Sequence, residues 1–158
     1  MVINGECFCG KVTYRIDGKL RNARSCHCSR CRKAFSSQAS AYAEVAPDTF
    51  KWLSGKDLLT IYRCKHGFSL QFCSQCGSTL CGTYRGDIHG VTLGCVNGDP
   101  EIEIGMHIFV GSKATWEVMP EHVVQFKEAR QHRLIKSCSW SETDPLKSFV
   151  PYYQMTTY

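Results

Sequence analysis

Short runs of alternating apolar and polar residues fill the first half of the chain, with the period of strands rather than helices. Lys11-Val12-Thr13-Tyr14-Arg15-Ile16-Asp17 puts Val12, Tyr14 and Ile16 on one side, as a strand with one buried face does. Asp17-Gly18 is a turn signal, and a second strand is predicted near 20–25. Further strands are predicted over 40–45 and 50–53, separated by Pro47-Asp48, with a turn at Ser54-Gly55. Residues 58–64 and 68–73 flank Lys65-His66-Gly67, which reads as a hairpin. Residues 78–84 and 91–96 continue the pattern around Arg85-Gly86-Asp87, and 103–110 is a further strand candidate. About ten strands at this turn spacing predict an all-β domain of short, mainly antiparallel strands. Helix is expected in two places. One is a turn or two around 29–35. The other runs from Glu121, after Pro120, to about Ile135, where Val123, Val124 and Phe126 follow the helical period imperfectly. From Cys138 onward, Trp140, Phe149, Tyr152, Tyr153 and Tyr158 lie among Ser, Thr and Pro. Such a tail is expected to pack on the domain or a partner subunit, or to be loose.

The 158 residues fit one domain. At 43% apolar residues and a mean hydropathy of −0.24, the core gains from metal staples. No segment reaches the roughly 18 apolar residues of a membrane span. The start, Met1-Val2-Ile3-Asn4-Gly5-Glu6, lacks the basic-then-apolar pattern of a secretory signal. The expectation is a cytoplasmic protein with reduced cysteines. There are eleven cysteines, an odd number, which excludes complete disulfide pairing within the chain.

Seven of those cysteines fall into three clusters: Cys7-x-Cys9-Gly10, Cys26-His27-Cys28-x-x-Cys31, and Cys73-x-x-Cys76-Gly77. Cys7 and Cys9 at i and i+2 can face one ion from an extended backbone. Cys73 and Cys76 have the spacing of a tight metal-binding turn. Together they make a closed four-thiolate set; the alternative is four buried thiols packed as small hydrophobes. Gly10 and Gly77 follow where a positive φ is convenient. Sixty-four residues separate Cys9 from Cys73, far more than a zinc-finger loop. Cys26, Cys28 and Cys31 offer three thiolates and leave a fourth vertex open, as a catalytic zinc does. Water or a substrate thiolate could complete it. So could a distant side chain, with Cys81, Cys95, Cys64, His27 and His107 as candidates; the alternative is a second structural zinc completed by one of the remaining cysteines.

The formal charge of +5 and pI of 8.6 change once metal is counted. Seven thiolates with two zinc dications bring the chain to about +2, which is weak ground for nucleic-acid binding. Arg21, Arg24, Arg30, Arg32 and Lys33 are the densest basic group and are interleaved with cysteines. They read as a solvated or metal-balancing face, or as a dock for a small anion. Arg32 and Lys33 directly follow Cys31 and could hold a carboxylate. His107 reads as a satisfied core or edge histidine, and Trp116 as a core or rim aromatic. Cys64, Cys81, Cys95 and Cys138 read as buried thiols. No phosphate loop, dinucleotide fingerprint or Ser/His/Asp order is present.

With these clusters in place, the chain resembles the glutathione-dependent formaldehyde-activating enzyme family, a domain type shared with centromere protein V. The resemblance rests on Gly5-Glu6-Cys7-Phe8-Cys9-Gly10-Lys11-Val12, Cys26-His27-Cys28-Ser29-Arg30-Cys31-Arg32-Lys33, Phe72-Cys73-Ser74-Gln75-Cys76-Gly77-Ser78-Thr79-Leu80, and His107-Ile108-Phe109-Val110 with Trp116. It implies a β-tent fold over residues 3–126, with 127–158 as a C-terminal extension. It implies two zinc ions per chain: a structural one on Cys7, Cys9, Cys73 and Cys76, and a less firmly held catalytic one on Cys26, Cys28 and Cys31. The implied activity is that of a carbon–sulfur lyase joining glutathione to formaldehyde as S-hydroxymethylglutathione, or a similar thiol to another small aldehyde. Arg32 and Lys33 would then bind the substrate. The competing reading is a non-catalytic zinc module that binds protein or nucleic acid. The chain departs from the family pattern at Ser36, near where members often carry glycine. The oligomeric state is open.

Overall fold

The computed structural model describes residues 1–64 and 67–129. Within them the alternation noted above becomes two sheets. The smaller has the order β1-β2-β5, with β1 at Val2–Glu6, β2 at Thr13–Asp17 and β5 at Phe50–Ser54. Ile3 of β1 and Tyr14 and Ile16 of β2 point inward while their neighbours face solvent, which is the period-two pattern realised. The larger sheet has eight strands in the order β11-β10-β3-β4-β9-β8-β7-β6. These are β3 (Arg21–Cys26), β4 (Ser40–Glu44), β6 (Leu59–Arg63), β7 (Phe68–Cys73), β8 (Thr79–Tyr84), β9 (Asp87–Thr92), β10 (Met106–Ile108) and β11 (Val124–Phe126). Pairing is antiparallel except where β10 lies parallel to both β3 and β11.

The core gathers Ile3, Val12, Tyr14, Ile16 and Leu20 with Ala43, Leu80 and Val91 from the larger sheet and Val45 just after β4. Leu80, Cys81, Gly82 and Thr83 of β8 are all buried, so both faces of this strand are covered. One short α-helix, α1 (Ser29–Ala34), follows β3. No helix among the described residues is long and apolar enough to cross a membrane.

The all-β expectation holds, and four details change. Val2–Glu6 forms a strand the alternation did not single out. The break at 85–87 is a two-residue turn with Arg85 at φ 52° and Gly86 at φ 103°, the paired positive φ of a type I′ hairpin. It starts β9 at Asp87, earlier than the expected 91–96, and Leu93–Cys95 turns into a 3₁₀ helix. The candidate at 103–110 shrinks to Met106–Ile108, cut off by Phe109 at φ 58°. The helix expected from Glu121 is absent over its described part. Val124–Phe126 is instead a strand whose backbone pairs with β10, and Phe109 and Gly111 donate to the carbonyls of Glu128 and Lys127. Consecutive β-branched Val123 and Val124 with Phe126 favour that pairing over an imperfect helical stripe. Residues 130–135 of that expectation, the Lys65-His66 connection and the tail from Cys138 lie outside the described residues.

Candidate metal centres and the adjoining cleft

The β1–β2 and β7–β8 connections each end in a cysteine turn, and the fold brings the two turns together. The sulfurs of Cys7, Cys9, Cys73 and Cys76 all lie within 4.8 Å of one another. Cys7 and Cys9 are 3.5 Å apart, and Cys9 and Cys73 3.9 Å. Both turns are built alike. Gly10 N–H donates to Cys7 O, and Gly77 N–H to Cys73 O, each at 2.8 Å. Cys7 N–H reaches Val12 O and Cys73 N–H reaches Ser78 O, both at 3.0 Å. The glycines have φ of 72° and 76°, and an added Cβ at either would meet nothing within 4 Å. The demand for glycine is therefore conformational, not a matter of space.

Cys7 and Cys9 thus converge from a turn rather than from the extended strand expected of an i, i+2 pair. The Val12 N–H points at the Cys7 sulfur at 3.3 Å, and the Phe8 N–H donates to Ser78 Oγ at 2.9 Å. The Ser78 hydroxyl beside Cys76 pulls that thiol down to about 6. Four convergent thiols, one of them ready to ionise, suit a tetrahedral zinc.

The second cluster sits where β3 runs into α1. Cys26 ends the strand, Cys28 caps the helix, and Cys31 lies in its first turn. Cys28 Sγ accepts the Cys31 N–H at 3.3 Å, as an N-cap side chain does. The three sulfurs lie within 4.8 Å of one another. Cys26 and Cys31 hold the Cys28 thiol far below the ordinary range, while Cys28 pushes Cys26 far above it. Three thiols this close share protons and cannot all ionise unless a cation sits between them.

None of the five proposed fourth ligands joins this set among the described residues. Both ring nitrogens of His27 are engaged, Nδ1 with Glu117 Oε2 and Nε2 with His107 Nδ1, each at 2.8 Å. The satisfied-histidine reading of His107 therefore stands. Burial pushes Cys81 up to about 12 and Cys95 up to about 11, the behaviour of packed thiols. Cys64 lies beyond the end of β6, half-buried. Cys138 is outside the described residues.

Along α1, the helix that carries Cys31, opens a cleft of about 420 Å³. Ser29, Arg32 and Lys33 of α1 line one side, with Ser36, Ser37 and Gln38 after the helix, and Trp116 faces them. Trp116 is 73% exposed, so it is a wall of the cleft and not a core aromatic. Of the basic group, Arg24 is paired with Glu44 at 2.7 Å, whereas Arg32 and Lys33 reach the cleft. The Arg32 Nε is shut from solvent with no hydrogen-bond partner. Ser36 has φ 46°, a backbone that favours glycine. The sequence reading did not single out Glu117, which is 8% exposed. No local signal links it to His27, ninety residues away.

A mainly antiparallel β domain with two cysteine clusters, each able to hold a metal ion, and a cleft lined by Arg32 and Lys33 defines the class of small domain. The model of the glutathione-dependent formaldehyde-activating enzyme family matches residues 2–112, and the chain belongs to that family. It is also similar to a crystal structure of a Rhodobacter sphaeroides protein solved as a structural genomics target. Identity is 26%, the match covers 61% of this chain and 89% of the other, and the TM-score is 0.48. No curated protein matches the sequence significantly.

Proposed function

We propose that the chain joins a glutathione-like thiol to formaldehyde or another small aldehyde, and reverses that addition, at the three-cysteine cluster. The thiol sulfur bonds to the carbonyl carbon and the proton ends on the carbonyl oxygen, making a carbon–sulfur lyase run in the synthetic direction. The observation that carries this reading is the set of three convergent thiols at the start of α1, the helix whose Arg32 and Lys33 line a cleft. Cys26, Cys28 and Cys31 would hold zinc, which when bound supplies a Lewis acid that lowers the pKa of a thiol or water beside it. The chain's own residues do the rest. Arg32 and Lys33 hold carboxylates of the thiol, with Arg32 able to do so through two parallel bonds. Ser29, Ser36, Ser37 and Gln38 offer hydroxyls and an amide to its peptide groups, and Trp116 covers its apolar stem. The cleft volume falls in the range of small-molecule sites, roughly 300–1,000 Å³.

Cys7, Cys9, Cys73 and Cys76 would hold the second, structural zinc. The catalytic unit in this reading is residues 3–126, with 127–158 an extension. A reducing compartment such as the cytoplasm goes with the chemistry, because the ligands must stay thiols. Two measurements on zinc-loaded protein test the reading. One is exchange spectroscopy of labelled formaldehyde with its glutathione adduct. The other is calorimetry with glutathione, cysteine and a thiol lacking carboxylates. Faster adduct exchange and tightest binding of glutathione are expected. No acceleration, with no binding by any of the three, would overturn the enzyme and leave a non-catalytic zinc module.

A further inference from the structure

Glu117 is a buried carboxylate in a loop, with its side chain 6% exposed. Such a group is stable only if partnered. Its partner is His27 Nδ1 at 2.8 Å, on a side chain with no exposure at all. The far nitrogen of His27 meets His107 Nδ1 at 2.8 Å, and the two rings stack with centroids 5.0 Å apart. The His27 N–H also donates to Ile108 O at 3.0 Å. Ring and backbone of one residue are therefore both held.

That residue stands between Cys26 and Cys28. The Cys26 and Cys28 sulfurs converge with that of Cys31, while both ring nitrogens of His27 are bonded elsewhere, to Glu117 and His107. The clamp thus grips the back of the segment that carries two of the three thiols.

The other end of the clamp is equally placed. Glu117 follows Trp116, the wall of the cleft. Its own backbone is tied by an N–H bond to Ala114 O at 3.2 Å and by Lys113 Nζ on its carbonyl at 3.1 Å. Ala114 is itself buried. One carboxylate therefore fixes both the ligand-bearing segment and the loop that presents Trp116.

We infer that Glu117 is a positioning residue that couples metal binding at Cys26, Cys28 and Cys31 to the placement of Trp116 over the cleft. The inference rests on the metal reading of the three-cysteine cluster. It extends that reading to a residue beyond the family match, which ends at 112.

The test uses full-length protein in which Trp52 and Trp140 are replaced by Phe, so that Trp116 is the one remaining tryptophan. Cobalt(II) is added to protein already loaded at the four-cysteine site. Uptake at the open site is read from thiolate charge-transfer absorption, and Trp116 is followed by fluorescence. In the parent, uptake should change the Trp116 emission. Glu117→Ala should weaken uptake about 10–100-fold, the usual cost of losing an outer-shell partner, and uncouple the emission. Glu117→Gln keeps an acceptor for His27 Nδ1–H and should restore both to within a few-fold.

If Glu117→Ala melts earlier yet takes up cobalt with parent affinity and the same Trp116 response, the inference is overturned. Should that variant not fold, Glu117→Asp, with a shorter reach, is expected to bind about 10-fold more weakly. Parent affinity there would overturn the inference equally. A parent protein that takes up no second ion would instead sink the metal reading on which the inference stands.

Discussion

The two thiol clusters use the same ligand atoms and are built in opposite ways. The four-cysteine cluster draws from two hairpin ends, one in each sheet, and joins residues 64 apart in sequence. The three-cysteine cluster draws from six consecutive residues at one strand-to-helix junction. Clipping distant segments stabilises a fold because it removes a large loop-closure entropy from the unfolded chain. A six-residue clip removes little, so its value to the fold is small. The first cluster offers four thiols and the second three, the second at the start of the helix whose Arg32 and Lys33 line the cleft. In the proposed reading, distance in sequence separates a staple from a working site.

The largest effect should come from breaking the staple. Cys76→Ser is expected to lose one zinc and to unfold or become insoluble. Structural zinc in finger peptides binds with about 10–16 kcal/mol, comparable with a whole domain's stability. Zinc content and melting temperature check this, and a variant that keeps both removes the staple from the account. Cys28→Ser should keep its circular dichroism spectrum, lose one zinc per chain and lose thiol-dependent turnover; loss of the fold would erase the contrast. Arg32→Ala should leave both metals in place and weaken glutathione by about 1–3 kcal/mol, the worth of a charge-assisted bond. Calorimetry at two salt concentrations reads it, with wild-type binding expected to fall as salt rises. An unchanged affinity would move the carboxylate contact away from Arg32. The smallest effect is expected at Ser36, whose φ of 46° is strained for a residue with a Cβ. Ser36→Gly should raise stability by about 0.5–1 kcal/mol in thermal or denaturant melts without changing zinc content. A loss of stability would show that the Ser36 side chain supports the cleft.

Both clusters were legible from spacing because ligand geometry constrains short sequence distances: the sulfurs of Cys73 and Cys76, and of Cys26, Cys28 and Cys31, do converge. The strands of the first half were legible because each buries one face, so Val12, Tyr14 and Ile16 announce themselves. Residues 121–129 misled because a three-residue strand beside β10 owes its form to a neighbour and not to its own period. The Cys7–Cys9 turn was hidden for a related reason. An i, i+2 pair fits a strand and a turn alike, and the hydrogen bond from Gly10 to Cys7 decides between them. Trp116 and Glu117 are adjacent, and one is mostly exposed while the other is buried. Nothing local in the sequence foretells that reversal, because it depends on His27 and α1.

The asymmetry of the two clusters is tested most directly by titrating zinc-loaded protein with a chelator while released zinc and the fold are followed together. The account predicts two steps. One ion leaves at low chelator concentration with the circular dichroism unchanged, and the second leaves only at much higher concentration, with unfolding. Release of both ions at one chelator concentration, or unfolding with the first ion, would contradict it.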